Sequence, residues 1–559
     1  MSTAPYRDPS RSVDERVEDL LARMTLAEKA GQLCHAMLTM NGDGTLAEAT
    51  DGPSLRQGTT ELVVDSHLTH FNLVGRYGAR ETAEWVNRLQ ALAADTRLGI
   101  PVTLSTGPRH SLPGNPAASF GTGAFSVWPE PPGLAAIGDP ELVEKFGDTV
   151  RREYLAIGFR VALHPRIDLS TGPRRAGGPG TFSSSTEVTS ALVRAYVRGL
   201  QGPRLGPRSV AAVVTYVPGG THDHHLAPFR AAVESGCSQM LPYDGRPIGV
   251  DGGREERRRG EGGREKGGRE EGGRGFDRDV LTGLLRGRLG FDGVVRTDWG
   301  LLTDTPFGGD AHRTHARGVE DLTVVERAAQ ALDAGADQFG GEQCPEVLVE
   351  LVRSGRIPEE RIDTSVRRLL REKFVLGLFE RRYVDPDRAE ETVGASDFTA
   401  LGEAAQRRSL TVLTNHSLLP LTDRPNLYVE GVGAQTASLY GNVVADPAHA
   451  DVAVLRLRTP CEERPAETLA LLAAVPTLVC VNLERPAVHP EIAAKAAALV
   501  ADYGASDTAL LDVAFGRARA EGRLPFELPR SVAAVEASRP GAPDDTEDPL
   551  FPYGHGLTL

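Results

Sequence analysis

The segment Phe291-Asp292-Gly293-Val294-Val295-Arg296-Thr297-Asp298-Trp299-Gly300 ends a short apolar run in a carboxylate and then an indole. A carboxylate presented at the C-terminal end of a strand can attack an anomeric carbon, and an adjacent aromatic ring can lie against a sugar face. The competing role for Asp298 is the cap of a following helix, a frequent use of Asp after a strand. Spacing by itself leaves both open. A second cluster, His222-Asp223-His224-His225, has the residue types of a metal site. Its spacing matches no standard zinc site, and a polar helix start explains it better. No metal or other cofactor is expected, because carboxylates alone suffice for such chemistry.

For Asp298 to act, a scaffold must hold it at a strand end that faces a cleft. Val17, Leu20, Leu21 and Met24 recur at helical spacing, and Thr25 with Glu28 forms a capping box for the next helix. Short apolar runs then alternate with helical patterns. Strands are predicted at 32–37, 71–74, 100–105, 158–164, 210–215, 237–242, 293–297 and 336–339, with helical segments such as 80–94, 140–155, 190–200 and 325–334 between them. This alternation predicts a (β/α)8 TIM-like barrel over residues 1–380. Count and spacing alone also fit an open doubly wound sheet. A helical stretch includes 362–379, and the charged segment 381–397, with Pro386, reads as a linker. Strands at 410–413, 427–430, 452–457, 478–482 and 498–502, with helices at 466–473 and 490–497, predict a smaller α/β sandwich over 398–559.

One insert breaks the pattern after the sixth strand. Residues 250–275 repeat a Gly-Gly-Arg-Glu unit with no capacity to bury a core, so a disordered surface loop is expected there. Glutamates between its arginines argue against RNA binding. The chain has 559 residues and a net charge of -14, which favours solubility and argues against a nucleic-acid partner. No apolar run approaches the roughly 18 residues of a membrane span, and the N-terminus lacks the apolar segment of a secretory signal. The five cysteines are scattered and odd in number, the pattern of reduced thiols in a cytoplasmic protein. Oligomeric state is not legible.

The run from Gly290 through Gly300 is similar to the nucleophile motif of family-3 glycoside hydrolases, typified by β-glucosidases. Other landmarks follow in that family's order. Arg16-Val17-Glu18-Asp19-Leu20-Leu21 with Met24-Thr25-Leu26 resembles its N-terminal helix, and Met240-Leu241-Pro242-Tyr243 its sixth-strand motif. Arg407-Ser409-Leu410 through Leu418-Leu419-Pro420-Leu421 resembles the start of its second domain. Gly522-Arg523-Leu524-Pro525 and Phe551-Pro552-Tyr553-Gly554-His555-Gly556-Leu557 resemble its end. The resemblance spans nearly the whole chain.

It implies a retaining, exo-acting hydrolase of terminal β-linked sugars that works by double displacement, with a carbohydrate as its partner. Asp298 would be the nucleophile, and Trp299 and Tyr243 would shape the first sugar subsite. The acid/base would come from the second domain, where Glu462 or Glu463 follows a strand; the alternative is two solvated loop glutamates. Arg109 with His110, and Asp168 with Arg166, are further positions for sugar contacts or for bracing the barrel. Several positions depart from the family pattern. Gly107 stands where an Asp is usual, Thr215-Tyr216-Val217 lacks the Lys-His pair, Gly177 replaces an Arg, and Ser184 and Ser185 replace an acidic pair. Each unpaired sugar hydroxyl would cost roughly 1–3 kcal/mol of binding. Two alternatives follow: a catalytically decayed member with weak or no sugar binding, and a β-N-acetylglucosaminidase-like enzyme using Asp223 or His224 as its acid.

Overall fold

The computed structural model describes residues 4–48, 57–111, 124–167, 169, 181–216, 223–242, 274–303, 316, 319–421, 424–457, 465–483, 490–538 and 544–559. The chain opens with helices α1 (Val13–Arg23) and α2 (Leu26–Leu33), each started by a reciprocal capping box, Ser12 with Glu15 and Thr25 with Glu28. Eight parallel strands then close a barrel: β1 (Cys34–Leu38), β2 (His70–Leu73), β3 (Thr103–Thr106), β4 (Phe159–Ala162), β5 (Ala211–Tyr216), β6 (Gln239–Pro242), β7 (Val294–Trp299) and β8 (Gln338–Gly340). Pairing of β8 with β1 completes the ring, so the open-sheet alternative is excluded.

Outside the ring lie α3 (Ala79–Ala94), α4 (Pro131–Ile137), α5 (Pro140–Ile157), α6 (Thr186–Gln201), α7 (Asp223–Glu234), the helical segment Asp279–Arg288, α8 (Val324–Ala334), α9 (Pro345–Arg353) and α10 (Glu359–Val375). They bury one apolar core that includes Trp85, Phe71, Tyr154 and Phe159. Each such side chain removed from water contributes about 1.5–3 kcal/mol. The helix predicted at 362–379 ends at Val375, where Leu376 and the positive-φ Gly377 turn the chain.

The segment 381–397 is not simply extended. It holds helix α11 (Pro386–Thr392), whose Asp387 and Glu390 receive Arg80 of α3. Helix α12 (Ser396–Ser409) leads into a sheet ordered β11-β10-β12-β13-β14-β9. Its strands are β9 (Thr411–Asn415), β10 (Asn426–Glu430), β11 (Asn442–Val443), β12 (Val452–Leu457), β13 (Thr477–Asn482) and β14 (Ala498–Asp502). Only β9 runs antiparallel in this sheet. The two-residue β11 carries too little apolar pattern to be read from sequence. Helices, among them α13 (Ala434–Ala437), α14 (Pro465–Ala474), α15 (Pro490–Lys495) and α16 (Asp507–Ala514), cover its two faces with separate apolar clusters. The result is an α/β sandwich.

The sandwich seats on the barrel through backbone bonds: Glu130 N to Tyr503 O at 2.8 Å, Ser184 N to Pro525 O at 2.9 Å and Arg523 N to Ala136 O at 2.9 Å. Tyr503 directly follows β14, so the edge of the sheet where β12, β13 and β14 end meets the barrel. Among the described residues no helix is long and apolar enough to cross a membrane. Cys34, Cys237, Cys344 and Cys480 are free and buried.

Candidate active site

Asp298 and Trp299 are the last two residues of β7, at the C-terminal rim where barrels of this class place their chemistry. Both are partly exposed, while Val294, Val295, Arg296 and Thr297 are buried. The strand is anchored from below. Asp337 accepts Val295 N at 3.0 Å, Arg286 at 2.6 Å, Arg368 at 3.0 Å and Ser365 Oγ at 2.7 Å. That one carboxylate ties β7 to α10 and to the segment Asp279–Arg288.

The rim end of β7 is shaped by a register shift. Arg296 pairs with Gln338, but Trp299 pairs with Gly340, so β7 carries an extra residue against β8. Such a bulge turns two consecutive side chains towards one face and is frequent beside active sites. Gln338 faces the barrel interior, where it bonds His35, so the bulge sends Trp299 inward as well. Its ring meets the His35 ring edge-on at 5.5 Å. The bulge depends on glycine. A Cβ on Gly340 would lie 3.0 Å from Thr297 O and 3.2 Å from Asp298 O, and Gly341 has φ +78 beside the Trp299 ring. The sequence signal for this approach is the Gly340-Gly341 pair that ends β8, since glycine in a strand marks close backbone approach.

Asp298 accepts the backbone N–H of Trp299 at 2.8 Å. The helix-capping role has no support among the described residues, since residues 300–303 form a turn and the next described helix, α8, is capped by Thr323. Glu342, just past β8, is fully buried and ties that turn by accepting Leu302 N at 2.7 Å and Thr303 Oγ1 at 2.6 Å.

Arg109 follows β3 on the same rim. Its Nε donates to Thr106 Oγ1 at 2.7 Å, Nη1 to Gly75 O at 2.8 Å and Nη2 to Leu73 O at 2.9 Å. These bonds brace the ends of β2 and β3. Next to it, His110 bonds Glu153 at 2.8 Å, and Glu153 also accepts from Ser126 Oγ at 2.7 Å and Gly394 N at 2.7 Å. Burial pushes the Glu153 carboxyl up, but the His110 charge and these hydrogen bonds outweigh it and hold it below the usual range.

The departures take on structural jobs. The Gly107 carbonyl accepts the Tyr154 hydroxyl at 2.9 Å. Ser184 Oγ donates to Asp544 at 2.6 Å across to the sandwich, and Ser185 caps α6 through Val188 N. The start of α7 at Asp223 agrees with a helix-start reading of the histidine cluster. Among the described residues no group of three or more His, Cys, Asp or Glu could hold a metal. Tyr243, Asp168, Gly177, Glu462 and Glu463 lie outside the described residues. The chain does place the two glutamates between β12 and α14. The end of β12 is fixed by Arg456, which bonds Asp507 at 2.8 Å and also Asp502.

The glycosyl hydrolase family 3 N-terminal domain matches residues 25–228 and 272–372. A probable β-glucosidase C of Aspergillus flavus is 44% identical over 99% of this chain and 92% of its own. A periplasmic β-glucosidase/β-xylosidase of Dickeya chrysanthemi is 38% identical over 99% of this chain and 91% of its own. The first alignment is longer than the chain itself, so that relative carries residues with no counterpart here. Among solved structures, a β-glucosidase of Erythrobacter marinus superposes with a TM-score of 0.76 at 21% identity, covering 100% of this chain and 84% of its own. A β-glucosidase of Listeria innocua in complex with glucose gives 0.72 at 20% identity, over 98% of this chain and 83% of its own. A closed barrel, a sandwich seated on its rim, the Asp298-Trp299 strand end and full-length similarity agree, and this chain belongs to glycoside hydrolase family 3.

Proposed function

We propose that this protein is a retaining, exo-acting β-glucosidase-like hydrolase with Asp298 as its nucleophile. The observation that carries this reading is the bulged end of β7, which brings a partly exposed carboxylate and the adjacent indole to the mouth of a closed barrel. The Asp298 carboxylate attacks the anomeric carbon and forms a glycosyl ester, while an acid protonates the departing oxygen. Water then attacks the same carbon, losing its proton to that residue and releasing the sugar from Asp298. Glu462 or Glu463 is the proposed acid/base, supported by its place in the chain after β12, a strand whose C-terminal end lies on the sheet edge that meets the barrel. Trp299 and Tyr243 are proposed as walls of the sugar subsite, and Arg109 and Asp168 as rim residues beside it.

The decayed-member and N-acetylglucosaminidase alternatives are not favoured, because the full-length relatives at 38–44% identity bear β-glucosidase names. A panel of aryl β-glycosides tests the reading. Release is expected from the β-glucoside, and from the β-xyloside if the subsite tolerates loss of the hydroxymethyl group. Release from none of them at millimolar substrate sinks it.

A further inference from the structure

Arg296 lies two residues before Asp298 on β7, with its side chain fully buried. None of its Nε, Nη1 or Nη2 atoms has a hydrogen-bond partner among the described residues. This is an expensive arrangement for a guanidinium, which carries five N–H donors. Lys373 of α10, equally deep, donates instead to Thr69 O at 3.1 Å, Pro101 O at 2.9 Å and Thr103 Oγ1 at 2.7 Å. Among the described residues Arg296 therefore makes no hydrogen bond that explains its presence in a barrel interior.

Its surroundings point upward, to the site. The guanidinium carbon sits 5.2 Å from the centroid of the Trp299 ring, within cation–π range. Two carboxylates act on its charge, Asp298 first and then Glu372 of α10. Burial lowers Arg296 to about 10, which leaves it charged at working pH. The other titratable groups packed round it do not compete. Burial, with the Arg296 charge next, holds His35 of β1 well below the ordinary imidazole range. Burial does the same for His70 of β2, followed by the charges of Lys373, His35 and Arg296. Glu372 is engaged by Ser238 and by Gln239 Nε2 at 2.7 Å.

We propose that Arg296 is a positioning residue for the reaction: it stabilises the negative charge of Asp298 from below and holds the Trp299 ring by its face. The fold keeps a buried cation that has no hydrogen-bond partner among the described residues for that purpose, in line with local rules being broken at functional sites. This inference rests on Asp298 being the nucleophile. Residues two apart on a strand are separated by about 7 Å, and a unit charge at that separation, at an effective dielectric of about 20, moves a carboxylate by roughly one to two pH units. Removing the cation disfavours the carboxylate, so the acid limb of activity must move to higher pH.

The experiment uses the full-length wild type, Arg296→Lys, Arg296→Gln and Arg296→Met. Peptide mapping after trapping with a 2-fluoro-β-glucoside comes first, followed by kcat/KM against pH and Tm for each protein. Arg296→Gln should shift the acid limb up by about one to two pH units, and Arg296→Lys should keep it within about half a unit. Arg296→Met should have a Tm equal to or above wild type, since it removes a buried guanidinium with no hydrogen-bond partner among the described residues. A label on a residue other than Asp298 overturns the nucleophile reading and this inference with it. A label on Asp298 with an unmoved acid limb in folded Arg296→Gln overturns the inference alone. So does a loss of Tm together with an equal loss of activity at every pH.

Discussion

At the bottom of the barrel Asp337 receives Val295 N, Ser365, Arg286 and Arg368, and Lys373 donates to three oxygens. In the same interior, Arg296, His70 Nε2 and Asn72 Nδ2 have no hydrogen-bond partners among the described residues, while at the rim Asp298 and Trp299 are partly exposed. The two ends of one strand thus answer to different demands. The charges of Asp337 and Lys373 at the bottom are paired because an unpaired buried charge there would only destabilise. Asp298 and Trp299 at the rim stay partly exposed, where substrate can reach them. Stability and chemistry are separable along β7, and substitutions should separate them.

The largest effect is expected at the rim. Asp298→Asn should lower kcat/KM for an aryl β-glucoside by about 10^4-fold or more, with Tm nearly unchanged. A residual rate within tenfold of wild type would show that the rim carboxylate is not the nucleophile. At the other end, Asp337→Asn leaves Arg286 and Arg368 facing a neutral amide and should destabilise by about 3 kcal/mol. Urea unfolding measures this, while activity per folded molecule at low temperature should stay close to wild type. A stable Asp337→Asn protein with no activity would break the comparison.

Acid sensitivity gives a smaller effect. Glu153 is held below its ordinary range, so its contribution is complete above the unfolded value of about 4.3 and disappears as pH falls through the folded value. Glu153→Gln should lower Tm at pH 7 and flatten the fall of Tm below about pH 4.3. A variant whose acid limb runs parallel to wild type would remove Glu153 from the account. The smallest effect belongs to Gly340→Ala. Its Cβ would stand 3.0 Å from Thr297 O, so the bulge must shift by a few tenths of an ångström. A loss of about tenfold in kcat with little change in Tm is expected, since small misplacements are felt strongly in catalysis. Unchanged kinetics would show that the bulge has slack.

Much of this architecture was legible because barrel strands are short apolar runs between helical periods, and buried parallel strands read that way. Asp298 and Trp299 stood out because a carboxylate and an indole end such a run. Arg296 did not, because an arginine inside a strand ordinarily faces solvent and only barrel closure turns it inward. The bulge was illegible for a related reason: register arises from pairing with β8, and β7 alone does not encode it. Ser184 and Ser185 read as losses from a sugar site, whereas the structure uses them for the seat of the sandwich and the cap of α6. That reassignment needed the second domain in place.

The most direct test of the central claim is covalent. The full-length protein should be incubated with a 2-fluoro-β-glucoside bearing a good leaving group, then digested and mapped by mass spectrometry. The account predicts time-dependent inactivation and one added fluoroglucosyl group on Asp298. Inactivation with the label on another residue, or full turnover with no labelled enzyme at any time, would contradict it.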